Sequence, residues 1–230
     1  MSFCDIGFWA NETRRESKTH VKSIVPQRTL SDTRDSNSYT VRKLADGKCW
    51  MTQNLRLVGS RTLTSSDSDV TSNFTLTASD SSTWCDSDNA TCVNKSMILN
   101  SGNSSYGTYY NWYAATAGTG KYETTSGNAA SSVCPKGWKL PTGGGSSEFQ
   151  ALYSKYNTPT KVMSANGPAI VLSGYRYQGN TVFQNSNSIY WSSTPSGNAY
   201  GFILNGDSSV FYTTNGGNKY LGATVRCLAR

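Results

Sequence analysis

Any chemistry in this chain has to come from six cysteines, one histidine and fourteen carboxylates spread over 230 residues. The cysteines are Cys4, Cys49, Cys85, Cys92, Cys134 and Cys227. None forms a C-x-x-C pair and the lone His20 stands apart from all of them, so the paired short spacings that deliver four zinc ligands are absent. A triad that needs imidazole is excluded for a related reason: His20 lies in NETRRESKTHVK, where a solvated ring is the simplest reading. An even cysteine count in a chain rich in Ser, Thr, Asn and Gly points instead to disulfides and an oxidising compartment. Six cysteines allow fifteen pairings. Cys85 and Cys92 flank a short loop, TWCDSDNATCV, able to close on itself. Cys134 and Cys227 each adjoin a core segment and suit a long-range staple, which leaves Cys4 and Cys49 by elimination. Six reduced, buried thiols are the alternative.

The carboxylates are scattered. Two Asp-Ser-Asp triplets, Asp67 with Asp69 and Asp86 with Asp88, offer hard oxygens to calcium, but neither is followed by the glycine and terminal glutamate of an EF-hand loop. Calcium is therefore a possible ligand, solvated turns are the competing reading, and no other cofactor is expected. Residues 109–230 hold only Glu123, Glu148 and Asp207, with no apolar pocket signature around a glycosidase pair. GGG at 143–145 lacks the lysine of a phosphate-binding loop, and GTGKY at 118–122 lacks its first glycine and the Ser/Thr after Lys121. An enzyme is not expected.

The distinctive chemistry is in the tail from Tyr175 to Tyr220, which interleaves Tyr, Asn, Ser, Gly and Thr and is almost free of charge apart from Arg176, Asp207 and Lys219. Tyrosine gives contact area at low entropic cost and short polar side chains give adaptable hydrogen bonds, the chemistry of a recognition surface; turn-rich β segments share that composition. The candidate ligand-binding residues are Arg176, Tyr177, Ile203, Asn205, Asp207, Tyr212, Asn215, Asn218 and Tyr220.

The elements that must position them are short. SYTVRKL at 38–44 reads as a strand, Asp46-Gly47 as a tight turn, and Cys49, Trp50, Met51 and Leu55 as buried. Residues 60–105 are polar and read as long surface loops, an insertion in character. Ser147 and Gln150 stand at capping-box spacing before a helix burying Phe149, Leu152, Tyr153 and Tyr156, with Glu148, Ser154 and Lys155 on its solvated side. Beyond Pro168, AIVLSGYRY, SIYWSST, AYGFIL, SVFYTT and ATVRCLA read as strands, with Asn205-Gly206 as a hairpin turn. In AYGFIL, period two sends Tyr200, Phe202 and Leu204 inward and Gly201, Ile203 and Asn205 outward. A helix followed by antiparallel strands makes an α+β domain over 31–230, with residues 1–30 as an extension. The net charge of +7 comes from dispersed basic residues, never a run of five, which disfavours nucleic acid. No stretch approaches the roughly 18 apolar residues of a membrane span, and the opening residues carry no apolar signal core.

TRDSNSYTVRKLADGKCWMTQNLRL, YYNWYAA, CPKGWKLPT, GYRYQG, YWSST and GATVRCLAR, in that order, resemble the Fibrobacter succinogenes major paralogous domain family over roughly residues 30–230. The resemblance implies a C-type-lectin-like fold of the formylglycine-generating-enzyme subtype, found in bacterial surface and secreted proteins. The ending is also similar to the variable proteins of diversity-generating retroelements, whose C-terminal lectin-type residues are diversified for ligand binding. On that likeness Trp138, Trp191 and Cys227 are scaffold, and Gly201, Ile203, Asn205, Tyr212, Asn215, Asn218 and Tyr220 point outward. The two-cysteine active site of the enzyme that names the fold subtype is not recognisable, so its activity is not carried over. The expected function is a non-catalytic recognition domain, extracellular or on the cell surface, that binds a protein or glycan through its C-terminal face. An assembly module of an appendage or envelope, and an enzyme on the same fold, are the alternatives.

Overall fold

The computed structural model describes Cys4, residues 27–197 and residues 200–230. His20, the expected extension up to residue 26, and the side chains of Tyr200 and Phe202 lie outside the described set. In chain order the elements are β1 (Arg28–Ser31), β2 (Ser38–Lys43), β3 (Cys49–Met51), β4 (Arg61–Leu63), β5 (Phe74–Leu76), α1 (Ala90–Val93), β6 (Ile98–Asn100) and β7 (Thr108–Tyr110). They continue with α2 (Trp112–Ala115), β8 (Trp138–Lys139), α3 (Glu148–Tyr156), α4 (Pro159–Met163), β9 (Ser173–Tyr177), β10 (Asn180–Gln184) and β11 (Ser188–Pro195). The last four are β12 (Tyr200–Gly206), β13 (Phe211–Tyr212), β14 (Gly216–Asn218) and β15 (Leu228–Ala229). Short strands with few helices agree with the α+β expectation.

One sheet has the order β1-β2-β3-β15-β8, so the final strand closes onto the N-terminal hairpin. In β2 the alternation is the expected one, with Tyr39 and Val41 buried between exposed or half-buried neighbours. Asp46 shapes the following turn and accepts the Trp50 indole N–H at 2.8 Å. β1 pairs with β2 over residues 28–31, so residues 28–30, read as the end of the extension, belong to the first sheet. A second large sheet runs β10-β9-β11-β12-β13, with β14 also on β12 and a parallel β9–β11 pair, and β4-β5 and β6-β7 form two small two-stranded sheets.

The run 223–229, ATVRCLA, is expected as a strand; residues 221–227 instead form a buried strap that stitches the sheets together. Ala223 exchanges backbone hydrogen bonds with Tyr110, and Gly222 with Arg176. The Thr224 N–H donates to Ile189, the Leu55 N–H to Val225 and the Met51 N–H to Cys227. Only Leu228 and Ala229 of that run lie in a strand.

The core has two lobes. One holds Trp112, Trp138, Trp191, Tyr110 and Ile203; the other holds Trp50, Phe149, Leu152, Tyr190, Leu204 and Phe211. β11 and β12 lie between them and are buried on both faces, Trp191 and Ile203 facing one lobe, Tyr190 and Leu204 the other. That corrects the outward placement of Ile203, which is 2% exposed. Period two separates faces, but a central strand covered on both sides has no solvent face to assign.

The turn expected at Asn205-Gly206 is two residues later. Both residues belong to β12, opposite Tyr212 and Phe211, and Asp207 closes the turn by accepting the N–H groups of Ser209 at 2.6 Å and Val210 at 3.0 Å. Gly206 is needed for close approach: a Cβ there would strike the Phe211 ring. The polar stretch 60–105 is likewise not a peripheral insertion, because Leu63, Val70, Leu76, Trp84, Val93, Met97 and Ile98 from it are buried. The Ser147 half of the α3 cap is as read, accepting from the Gln150 N–H at 3.1 Å, while the Gln150 side chain accepts from the Thr213 hydroxyl instead of closing the box. Glu148 departs from the solvated reading: it takes Lys139 at 2.7 Å, Lys48 at 2.9 Å and the Thr142 N–H at 2.9 Å. Burial alone would raise its pKa, but these donors outweigh burial and lower it.

Tyrosines carry much of the burial. Burial raises the pKa of Tyr39, Tyr109, Tyr110, Tyr156, Tyr175 and Tyr220, that of Tyr110 well above the ordinary value. An unfolded phenol ionises near about pH 10, so above that pH the folded state holds more protons than the unfolded one. The tyrosine contribution to stability is therefore complete below about pH 10 and is lost as pH rises through the raised folded values. Phenolate absorbance should show these residues protonated until alkaline unfolding releases them together. A titration with all fourteen tyrosines ionising near pH 10 and the fold intact would refute this.

Candidate functional site

The C-terminal third builds its surface around the β9–β10 hairpin. Gln178 and Gly179 turn it with φ of 47° and 72°, two successive left-handed residues of the kind a tight hairpin turn prefers. The Gly179 N–H donates to Asp86 at 2.6 Å, which fixes the turn to the 80–88 loop. Tyr175 and Tyr177 are two residues apart and share a face. Tyr177 stacks on Tyr220 with ring centroids 6.5 Å apart, and Tyr175 on Phe183 at 5.6 Å. The result is two stacked aromatic pairs along one hairpin.

Phe183 has φ of 58°, the left-handed region that a bulky side chain rarely adopts. The ladder explains how: Val182 pairs with Tyr175 and Gln184 with Ser173, so Phe183 falls opposite Gly174, itself at φ +68°. A Cβ on Gly174 would meet the Val182 carbonyl and the Gln184 amide, so only glycine lets the strands close there. Asn185, at φ of 65°, completes the irregularity and accepts the Tyr106 hydroxyl at 2.6 Å. Phe183 is 57% exposed. Neither it nor Tyr175 was a candidate from the sequence; the signal available was the Gln178-Gly179 turn between GYRY and NTVFQ.

The nine candidates divide. Arg176, Tyr177, Asn218 and Tyr220 meet beside the 80–88 loop, where the Asn218 amide donates to the Tyr220 hydroxyl at 3.0 Å. Two of these were expected on the surface and are buried: Arg176, whose guanidinium donates to the Ser81 carbonyl at 3.2 Å, and Tyr220, under Tyr177 with its carbonyl accepting from the Trp84 indole at 3.1 Å. The strap pulls both inward, since Gly222 bridges Arg176. Asn205, Asp207 and Tyr212 cluster elsewhere, at the far end of β12, and of these Tyr212 is 48% exposed. Asn215 is half-buried, and its carbonyl accepts the Ile203 N–H at 3.1 Å. Gly201, also expected outward, packs on the Trp112 indole. One continuous patch from 203 to 220 is therefore replaced by two separated ones.

Lys219, between Asn218 and Tyr220, is buried over the Trp112 ring at 4.5 Å. It donates to the carbonyls of Lys121 at 3.0 Å, Tyr122 at 3.0 Å and Thr124 at 2.7 Å. Burial brings its pKa down to about 8, against the opposing pull of Glu123 and Asp88. The glycine-rich 118–122 loop is thus wrapped on a lysine.

The calcium candidates are separated as well. Asp67 accepts from the Thr64 N–H and the Ser68 hydroxyl. Asp69 pairs with Arg230 at 2.5 Å and accepts the Ser132 hydroxyl at 2.7 Å, on the wall of a polar cavity of about 200 Å³. Asp86 holds the hairpin turn, and Asp88 is exposed. Among the described residues no three of His, Cys, Asp and Glu come together as a metal site. All six cysteines are paired, as Cys4–Cys49, Cys85–Cys92 and Cys134–Cys227.

A family model described as the Fibrobacter succinogenes major domain matches residues 45–229. The chain belongs to that family. The match runs from the turn before β3 to β15, and so takes in both core lobes, the polar stretch, the hairpin and the strap; β1 and β2 precede it. No curated protein and no solved structure matches the chain. Within this Fibrobacter succinogenes major domain, Trp138, Trp191 and Cys227 are fully buried, as scaffold residues should be. No described helix is long and apolar enough to cross a membrane.

Proposed function

We propose that the chain is a non-catalytic recognition domain of a bacterial surface or secreted protein, with a C-type-lectin-like fold of the formylglycine-generating-enzyme subtype, binding a protein or glycan ligand through its C-terminal third. One observation carries the reading: residues 177–206 contain no charged side chain, yet they present exposed aromatic and amide groups on a scaffold whose tryptophans are buried. Such a surface recognises and has nothing with which to activate a nucleophile or transfer a proton. Three disulfides agree with an oxidising, extracellular setting. Pairing of every cysteine leaves no thiol for the chemistry of the enzyme that names the fold subtype. If the tail is diversified, its usable positions are exposed ones such as Tyr212, since changes at Ile203 or Tyr220 would strike the core.

The assembly reading also has a specific observation behind it, since β10 is an edge strand with one side unpaired among the described residues, able to take a strand from a partner. The test is a binding array of bacterial and host glycans and surface proteins, probed with the purified full chain. Saturable binding of a discrete ligand is the expected result. Filaments or ordered oligomers of the chain, with no ligand retained, would favour assembly and overturn recognition.

A further inference from the structure

Resting on that recognition reading, we propose that the β9–β10 hairpin is a glycan subsite in which a neutral pyranose stacks on Phe183 without a metal ion. One face of the Phe183 ring lies on Tyr175 at an interplanar angle of 29°, and the residue is still 57% exposed to solvent. The backbone holds it there in a left-handed conformation that costs a bulky residue energy, at a ladder position opposite Gly174, where only glycine lets the strands close. The ring buries little, so core packing does not account for the strain. An outward aromatic held by a strained backbone fits a binding surface.

The surroundings choose the ligand. Asn180, Gln184 and Asn185 are exposed on the same hairpin; Asn180 and Gln184 donate to Gln178 and Tyr109 and keep amide oxygens for sugar hydroxyls, while Asn185 accepts from Tyr106 and keeps its amide N–H groups. The C–H face of a pyranose matches an exposed ring, while its hydroxyl rim matches those amides. No Lys, Arg, Asp or Glu occurs from Tyr177 to Gly206, so an acidic or basic ligand finds no counter-charge there. Metal-mediated sugar binding would need carboxylates, and the hairpin has none; Asp86 beneath the turn is engaged by Gly179. One exposed ring with a few amides is also too small for a stable protein interface, which covers about 800 Å² per partner.

The experiment is calorimetric titration of the full chain in EDTA with cellohexaose, xylohexaose, mannohexaose and chitohexaose. The parent should bind at least one, Phe183→Tyr should keep that binding, and Phe183→Gly should weaken it by about tenfold or more. Glycine adopts the left-handed conformation freely, so Phe183→Gly should melt no lower than the parent. Tyr212→Ala, which removes an exposed ring on the other patch, should bind the sugar as the parent does. Sugar binding that survives Phe183→Gly, or that requires calcium, overturns the subsite and leaves recognition standing. A parent that binds none of the four sugars but retains a protein ligand overturns the glycan assignment alone. A parent that retains neither overturns both readings.

Discussion

Arg226→Met should cost about 3–5 kcal/mol of folding free energy, although it replaces a charge with an apolar side chain inside the core. Arg226 is 1% exposed and is held by acceptors from two segments, 51–54 and 168–169. It donates to Asn54 Oδ1 at 2.8 Å, to the carbonyls of Pro168 at 2.7 Å and Met51 at 3.3 Å, and to that of Ala169 at 2.9 Å. Its guanidinium also lies 5.6 Å from the Tyr190 ring centroid. Burial pushes its pKa down, opposed by Tyr190. Exchanging a whole buried ionic network for apolar residues is often harmless, because both partners leave together. Here the partners are mostly backbone carbonyls, which no side-chain substitution removes. Arg226→Met takes the donor from four acceptors, three of them in buried hydrogen bonds, at about 1–3 kcal/mol for each that water cannot reach. Against a total of about 5–15 kcal/mol, that loss is decisive. The comparison is Arg230→Met, which breaks a pair whose arginine side chain is 51% exposed and should cost less than about 1 kcal/mol. Urea unfolding of both variants tests the difference; an Arg226→Met midpoint close to the parent's would show that the strap is held by packing alone.

Arg226 also shows where sequence reading stopped. It was visible as part of VRCLAR, but a charged residue in a polar chain reads as solvated. The groups that bury Arg226 and Lys219 are main-chain carbonyls, and Arg176 also meets one; carbonyls exist at every position and so leave no mark in a sequence. Apolar and turn signals were more informative. The buried tryptophans, the Asp46-Gly47 turn and the Ser147 cap were legible because each is a local pattern with one physical solution. The 60–105 stretch was misread because its core residues, such as Leu63, Leu76 and Ile98, are spaced too widely to show a period and enter the core one at a time. Ile203 was misread because period two cannot reveal a strand covered on both faces. The candidate site suffered most: Phe183 takes a left-handed backbone opposite Gly174, and neither strand propensity nor alternation signals such a conformation at a bulky residue.

The three disulfides should differ in worth, and removing Cys134–Cys227 as the Cys134→Ala, Cys227→Ala double variant should cost the most, about 4–5 kcal/mol. A cross-link restricts the unfolded chain in proportion to the logarithm of the loop it closes. The separations are 93 residues for this pair, 45 for Cys4–Cys49 and 7 for Cys85–Cys92. The same relation gives about 4 kcal/mol for the second and about 2 kcal/mol for the third. Native contacts widen the gap. Cys227 follows Arg226 in the strap, and its carbonyl accepts the Met51 N–H at 3.0 Å. The Cys134 carbonyl accepts the Asp69 N–H at 2.9 Å, so the bridge ties the strap to the polar stretch as well as to the core. Both sulfurs are fully buried, and truncation to alanine adds an apolar cavity to the lost cross-link. Cys85–Cys92 closes a small loop already capped by Asn89, which accepts the Cys92 N–H at 3.0 Å, and removing it should leave the two-lobed core folded. Denaturant midpoints of the three double-alanine variants order the effects. If the Cys85–Cys92 variant were the least stable, the domain would depend on its surface loops more than on the strap, and the strap would not be what holds the two sheets together.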